Sequence, residues 1–251
     1  MGPIKTEAVV LRSMRYGEAD RILHLYTPEH GRMSAIAKGS RRPNSRFGGR
    51  LEPFFRLRLD LHEGRSELLT VTGAQTVEGY RHLRTDAGAI DAAARACDAV
   101  GRLFETSEGH PAVFNLLCNA LSLLDREPSR ASPARALAFR LKLLVAAGLT
   151  PRLTACVSCG GRSSLTRFSG AGGGMLCEAC WGRGTLEESQ KAGAFPLGED
   201  ALRFMALSLS RALAEGPEAT STALRQVERA IAETVEHHAH VHLRAASNGR
   251  S

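Results

Sequence analysis

Residues 54–61, Phe-Phe-Arg-Leu-Arg-Leu-Asp-Leu, alternate with a period of two. Phe55, Leu57, Leu59 and Leu61 fall on one face, and Phe54, Arg56, Arg58 and Asp60 on the other. That is the pattern of a strand with one face in a core and the other in water. Working outward, Thr6–Met14 is rich in β-formers, and Ile22–Thr27, Arg32–Lys38 and Leu68–Ala74 complete a set of five candidate strands. Gly31, Gly39, Gly48, Gly49, Gly64 and Gly73 lie between or beside them. Five short strands in the first 80 residues imply a small closed barrel, and the OB-fold is the commonest such barrel associated with single-stranded nucleic acid.

After Tyr80 the period changes. Ile90, Ala93, Ala94, Cys97, Val100 and Phe104 recur at helical spacing behind Asp86, a good start signal. A second helix is expected over Pro111–Leu124, with Phe114, Leu117, Leu121 and Leu124 along its stripe. A third carries a full set of boundary signals: Ser132 as cap, Pro133 at the first helical position, Gly148 past the end and Pro151 beyond. Two more helices are expected, over Glu199–Ala214 and along the stripe Leu224, Val227, Ile231, Val235. The fold class is therefore α+β: a barrel domain over residues 1–80, then a helical domain over 81–251.

Between the third and fourth helices, Cys156, Cys159, Cys177 and Cys180 form two C-x2-C pairs separated by 17 residues, the spacing of a tetrahedral zinc site. Four thiolates leave no open coordination position, so the site is one for folding rather than for activating water. Two disulfides would require an oxidising compartment, and the N-terminus MGPIKTEAVV lacks the apolar core of a signal peptide. A redox C-x-x-C is expected near a βαβ pattern, which the sequence does not show. The knuckle, residues 152–186 with the run SGAGGG inside it, is too short to build its own core, and one structural Zn2+ per chain would supply the missing folding energy. Cys97 and Cys118 sit on apolar helix faces and read as core.

The formal net charge of +7 makes a polyanionic partner plausible, but 33 basic against 26 acidic residues mean that only local clustering is informative. One segment stands out. Residues 38–50, KGSRRPNSRFGGR, contain five basic side chains and no acid, and are rich in Gly, Ser and Pro, as a flexible exposed loop would be. Lys38, Arg41, Arg42, Arg46 and Arg50, with Arg56 and Arg58 on the adjoining strand face, are the candidate phosphate contacts. The rings available for stacking are Tyr16, Tyr26, Phe47 and Phe54, with Phe47 the best candidate for an exposed one. His238 and His242 are spaced i, i+4 within the cluster His237, His238, His240 and His242, but no carboxylate completes a metal set. There is no phosphate-loop pattern, no G-x-S-x-G and no paired carboxylates marking acid–base chemistry, so a non-enzymatic binding protein is expected. No apolar run approaches the roughly 18 residues that a spanning helix needs.

The stretch from Tyr16, YGEADRILHLYTPEHGRMSAIAKGSRRPNSRFGGRLEPF, closely resembles the N-terminal region of the bacterial recombination-repair RecO family. Matching positions include Tyr16, Glu18, Asp20, Thr27, Gly31, Ala37, Lys38, Gly39, Arg42, Ser45, Leu51, Pro53 and Phe54. A second stretch, LLVAAGLTPRLTACVSCG from Leu143, is similar to the family's approach to its zinc knuckle. The resemblance implies a cytoplasmic, nucleoid-associated mediator that binds single- and double-stranded DNA and anneals complementary strands. It would act with RecR, and often RecF, to load RecA onto strands covered by single-strand-binding protein, and would bind that protein's acidic C-terminal tail. By position Lys38, Arg41, Arg42 and Arg46 would touch DNA, and Arg135, Arg140 and Lys142 on the third helix are guesses for the tail site. Two other readings remain for the residues themselves: an RNA-binding OB protein with a zinc knuckle, from translation or RNA turnover, and a nucleic-acid enzyme braced by zinc.

Overall fold

Five strands close into a barrel: β1 (Ile4–Tyr16), β2 (Asp20–Thr27), β3 (Gly31–Ala37), β4 (Arg56–His62) and β5 (Leu69–Glu78), in the order β1-β2-β3-β5-β4 with β4 returning to β1. All pairings are antiparallel except the short parallel contact between β3 and β5, which gives the strand order of an OB-fold. The computed structural model describes residues 3–64, 68–183, 186–191 and 193–246.

The alternation in β4 does what its chemistry dictates. Leu57, Leu59 and Leu61 enter the barrel core with Val10, Leu23, Leu25, Ala35, Ala37 and Val71. Each such leucine contributes on the order of 2 kcal/mol by leaving water. The strand begins two residues later than expected. Phe54 adopts a left-handed backbone (φ 76°), donates its N–H to the Val10 carbonyl at 2.8 Å and is buried instead of facing outward with the arginines. β1 is long because it serves two partners: residues 4–9 pair with β4 and residues 9–16 with β2, with a register shift between Val10 and Arg12.

Two helices pack with the barrel. α1 (Ala87–Leu103) is capped by the Asp86 carboxylate, which accepts the Ala89 N–H at 2.8 Å, and α2 (Pro111–Arg126) starts on a proline whose absent N–H costs nothing there. Cys97 and Cys118 are buried core thiols on these helices. Burial pushes Cys118 up to about 11 and Cys97 higher still. The α1–α2 loop presses on the β2–β3 turn: the Arg32 N–H donates to the Thr106 carbonyl at 3.1 Å, and the Arg32 guanidinium reaches the Gly101 carbonyl.

The chain divides into two compact units between Ala131 and Ser132, so α1 and α2 group with the barrel, while the change from strand to helix comes earlier, at residue 80. The second unit opens with α3 (Pro133–Ala146), capped by Ser132 and followed by Gly148 at φ 73°. α3 packs against α6 (Glu199–Ser210) and α7 (Ser221–Ala239), and Leu137, Leu141, Phe204, Met205, Val227 and Ile231 are buried on these three helices. α6 ends at Ser210, short of the expected Ala214, and a separate 3-10 turn covers Leu213–Glu215.

The insertion between α3 and α6 is more structured than its composition implied. β6 (Leu165–Ser169), β7 (Gly174–Cys177) and β8 (Phe195–Pro196) form an antiparallel sheet in the order β7-β6-β8, with short helices α4 (Glu178–Gly182) and α5 (Glu188–Lys191) beside it. It does have a small core: Cys156, Leu176, Cys177, Cys180 and Leu186, with Val157, Leu165 and Trp181 against them. The SGAGGG run is a tight turn rather than a slack one. A Cβ on Gly174 would lie 2.3 Å from the Arg152 carbonyl oxygen, and one on Gly170 would meet Glu233 at 2.6 Å.

Candidate metal centre and nucleic-acid interface

The four cysteines converge. Their sulfurs all lie within 4.8 Å of one another, and Cys159 Sγ is 3.7 Å from Cys177 Sγ. Four sulfurs around a metal with bonds of roughly 2.3 Å sit about 3.8 Å apart at the corners of a tetrahedron, so the donor set fits a tetrahedral, thiophilic ion. Local backbone explains the placement. Cys156 and Cys159 flank a turn closed by the Gly160 N–H to the Cys156 carbonyl at 2.9 Å, with Gly160 at φ 75°. Cys177 ends β7 and caps α4, its sulfur accepting the Cys180 N–H at 3.4 Å. Cys156 Sγ accepts the Cys177 N–H, also at 3.4 Å.

These N–H groups already favour thiolate. Burial opposes ionisation of Cys156, but the main-chain donors of Cys159, Cys177 and Ser158 outweigh it and bring that thiol down to about 6. Cys180 is driven the other way, up to about 12, chiefly by its interactions with Cys159 and Cys177. Four crowded sulfurs cannot all ionise without a cation among them, and a divalent ion would remove that repulsion. Three of the sulfurs belong to buried residues and Cys159 to an exposed one. The histidine cluster does not assemble: His238 Nε2 lies 3.0 Å from the Gly170 carbonyl, and His242 Nδ1 lies 2.8 Å from Glu236. Among the described residues the cysteines are the group that could hold a metal.

On the barrel, the basic segment is a succession of hydrogen-bonded turns rather than a loose loop. Phe47, expected to be exposed, is 1% exposed and plugs the barrel core with Leu51. Arg46 and Arg50 hold the segment down, donating to the Val71 carbonyl at 3.5 Å and the Ala74 carbonyl at 3.0 Å on β5. The other end is tied to the β1–β2 turn. The Gly39 N–H donates to Asp20 Oδ1 at 2.7 Å, the Arg41 N–H to the Ala19 carbonyl at 2.9 Å, and the Arg41 guanidinium to the Gly17 carbonyl at 3.4 Å. Lys38, Arg41 and Arg42 are exposed there, and among the described residues they form no ion pair.

Arg56 and Arg58 differ from that trio because both face Glu7. Arg56 donates to Glu7 Oε2 at 2.9 and 2.6 Å, and Arg58 reaches Oε1 at 3.4 Å. Arg56 is half-buried, with its guanidinium 5.5 Å from the Phe114 ring centre, whereas Arg58 is exposed. Of the four rings considered, Tyr26, Phe47 and Phe54 are buried, and burial pushes the Tyr26 phenol up to about 12. Tyr16 remains exposed at 53%. Arg12 and Arg15, which the sequence did not single out, are also exposed on β1, on opposite faces of the strand. Their signal was hidden because the register shift breaks the strand's alternation. On α3, Arg140 is buried, 3.6 Å from Glu228, and donates to the Arg244 carbonyl, while Arg135 and Lys142 are half-buried.

Comparison with known proteins covers nearly the whole chain. Residues 1–80 match the family model "Recombination protein O N terminal", and residues 84–245 match "Recombination protein O C terminal". A DNA repair protein RecO of Anaeromyxobacter dehalogenans strain 2CP-C is 42% identical over 183 residues, 72% of this chain and 71% of its own length. That of Rubrobacter xylanophilus is 40% identical over 215 residues, covering 80% of this chain and 85% of the relative. One from Anaeromyxobacter sp. strain Fw109-5 is 35% identical over 245 residues, covering 94% and 91%. Both halves of the sequence, with the barrel and the four-cysteine knuckle they encode, identify the chain as a member of the recombination protein O family.

Proposed function

We propose that the chain is a DNA-repair mediator that binds single- and double-stranded DNA on its barrel and anneals complementary strands without a catalytic step of its own. The observation that carries this reading is the trio Lys38, Arg41 and Arg42, exposed, free of acidic partners among the described residues, and fixed against the β1–β2 turn. Annealing requires two polyanions to approach, and fixed cations screen that repulsion without reading bases. Arg58 lies on the same barrel as a further contact, Arg46 and Arg50 add charge while anchoring the turn, and Arg56 contributes least because Glu7 holds it.

Membership of the family supports a wider role, in which the protein acts in the cytoplasm with RecR to load RecA onto strands coated by single-strand-binding protein, whose C-terminal tail it would bind. One zinc ion held by Cys156, Cys159, Cys177 and Cys180 would brace the second unit. No helix among the described residues is long and apolar enough to cross a membrane.

The test is annealing of two complementary labelled DNA strands at low and moderate salt, with Arg41→Ala/Arg42→Ala alongside. Acceleration that falls with both salt and mutation supports the reading. A zinc-loaded protein that accelerates nothing on DNA but binds RNA of the same sequence would replace it with the RNA-binding alternative.

A further inference from the structure

The outer surface of β1–β3 is divided. At one end α1 and its following loop cover it: a Cβ on Gly101 would touch Leu11, Tyr26 packs edge-on against Phe104 with ring centres 6.4 Å apart, and Arg32 bonds the Gly101 carbonyl. At the other end the register aligns Arg12 with His24 and Ser34, Met14 with Ile22 and Ile36, and Tyr16 with Asp20. Directly paired residues share a face, so Arg12, Met14 and Tyr16 point outward together with Ile22 and Ile36. None of these apolar residues belongs to the barrel's inner core; Met14, Ile22 and Ile36 are half-buried and Tyr16 is 53% exposed.

This apolar strip is rimmed by cations in fixed places. Asp20, opposite Tyr16, accepts the Gly39 N–H, which brings the start of the basic segment to the strand pair that carries the ring. Arg41 donates to the carbonyl of Gly17, the residue after Tyr16. Arg12 is exposed on the same face of β1 as Tyr16, Arg15 is exposed on the other, and Glu18 is the exposed acid of the turn. A flat ring at the end of an apolar strip, with the Arg41 guanidinium bonded to the carbonyl of the next residue, suits a nucleobase whose own phosphate is held alongside.

On the basis of the DNA reading above, we propose that Tyr16 is a base-stacking residue that biases the barrel toward unpaired strands, with Lys38, Arg41 and Arg42 as the phosphate rail beside it. Bases inside a duplex are already stacked and cannot reach the ring, so Tyr16 contributes to single-strand affinity alone. Removing one base–aromatic stack lowers affinity by roughly 5- to 100-fold. It removes no phosphate contact, so the salt slope stays.

The experiment measures binding of a thymidine homopolymer, an abasic strand of equal length and a duplex to the wild type, Tyr16→Ala and Tyr16→Phe, each at several salt concentrations. The expected result is a 5- to 100-fold loss on the thymidine strand for Tyr16→Ala, full retention for Tyr16→Phe, and less than about a twofold change on the duplex and the abasic strand. Equal losses on all three ligands, or no loss on any, would overturn the stacking role while leaving DNA binding intact. A wild type that binds none of the three would overturn the DNA reading and this inference with it. Tyr16→Val keeps a strand-forming side chain without the ring, so it tests the stack even where the alanine variant misfolds: it should lose affinity for the thymidine strand as Tyr16→Ala does, and a folded Tyr16→Val that binds that strand like the wild type would overturn the stacking role.

Discussion

Replacing Lys38, Arg41 and Arg42 together by alanine separates electrostatic contact from structural support. All three are exposed, and the bond from the Arg41 guanidinium is a long 3.4 Å one to a turn carbonyl, so the fold loses little. If each neutralises one phosphate of a single strand, the slope of log affinity against log salt flattens by about 2, at roughly 0.7 per contact. Between 50 and 200 mM salt that difference amounts to about 20-fold. The affinity gap between wild type and variant should therefore be about 20-fold wider at the lower salt. Fluorescence anisotropy of a labelled strand, titrated across that range, reads the slope directly, and a thermal melt confirms that the barrel is unchanged. Arg50→Ala is the control. Its guanidinium bonds the Ala74 carbonyl at 3.0 Å, so its loss costs about 1 kcal/mol of stability and moves the slope less. A triple variant with the wild-type slope would refute the assignment of the trio to the phosphate path, whatever happened to its affinity.

Three further outcomes are expected. Cys156→Ser, or treatment with a strong zinc chelator, should unfold the knuckle; Trp181, the single tryptophan, packs in that cluster with Arg167 4.2 Å from its ring centre, so its emission reports the change, and unaltered emission after metal loss would contradict the brace. Gly31→Ala should destabilise the barrel by at least about 2 kcal/mol, because Gly31 sits at φ 56° and a Cβ there would lie 2.3 Å from the Glu108 carbonyl oxygen; a change below about 0.5 kcal/mol in chemical denaturation would contradict that close approach. Burial, then the charges of Arg32 and Arg12, hold the His24 pKa below its usual 6.5, so stability is full above that value and falls as the pH drops from it toward the lower folded value; His24→Asn should flatten this part of the melting-temperature profile, and an unchanged profile would count against it.

The barrel was legible because period-two alternation survives in β4, and because glycines mark the turns between strands that each bury one face. The helices were legible from their caps: Asp86, Ser132 and the prolines at the starts of α2 and α3 stand where local chemistry requires them. The convergence of the knuckle's four cysteines was legible because two pairs at fixed spacing constrain each other, but its sheet was not. Strands of two to five residues are too short to show a period, and glycines selected for close approach to Arg152 and Glu233 look the same as glycines in a linker. Phe47 was misplaced for a related reason. In sequence it lies among cations and glycines, and only the assembled barrel core, which no local pattern encodes, draws it inside. Arg56 and Arg58 read as free charges because their partner, Glu7, lies on a strand paired with theirs only in the folded barrel. The register shift between Val10 and Arg12, which puts Arg12, Met14 and Tyr16 on the outer face, is invisible without the pairing itself.

The central claim is that nucleic acid lies across the outer face of β1–β3 and the basic turns that follow. Photocrosslinking of a single strand carrying a reactive pyrimidine, followed by peptide mapping of the zinc-loaded protein, tests it most directly. Crosslinks concentrated between Arg12 and Arg42, with Tyr16 among them, are the predicted result. Crosslinks confined to the knuckle, residues 152–186, with the barrel unmarked, would contradict the account and move the nucleic-acid site to the second unit.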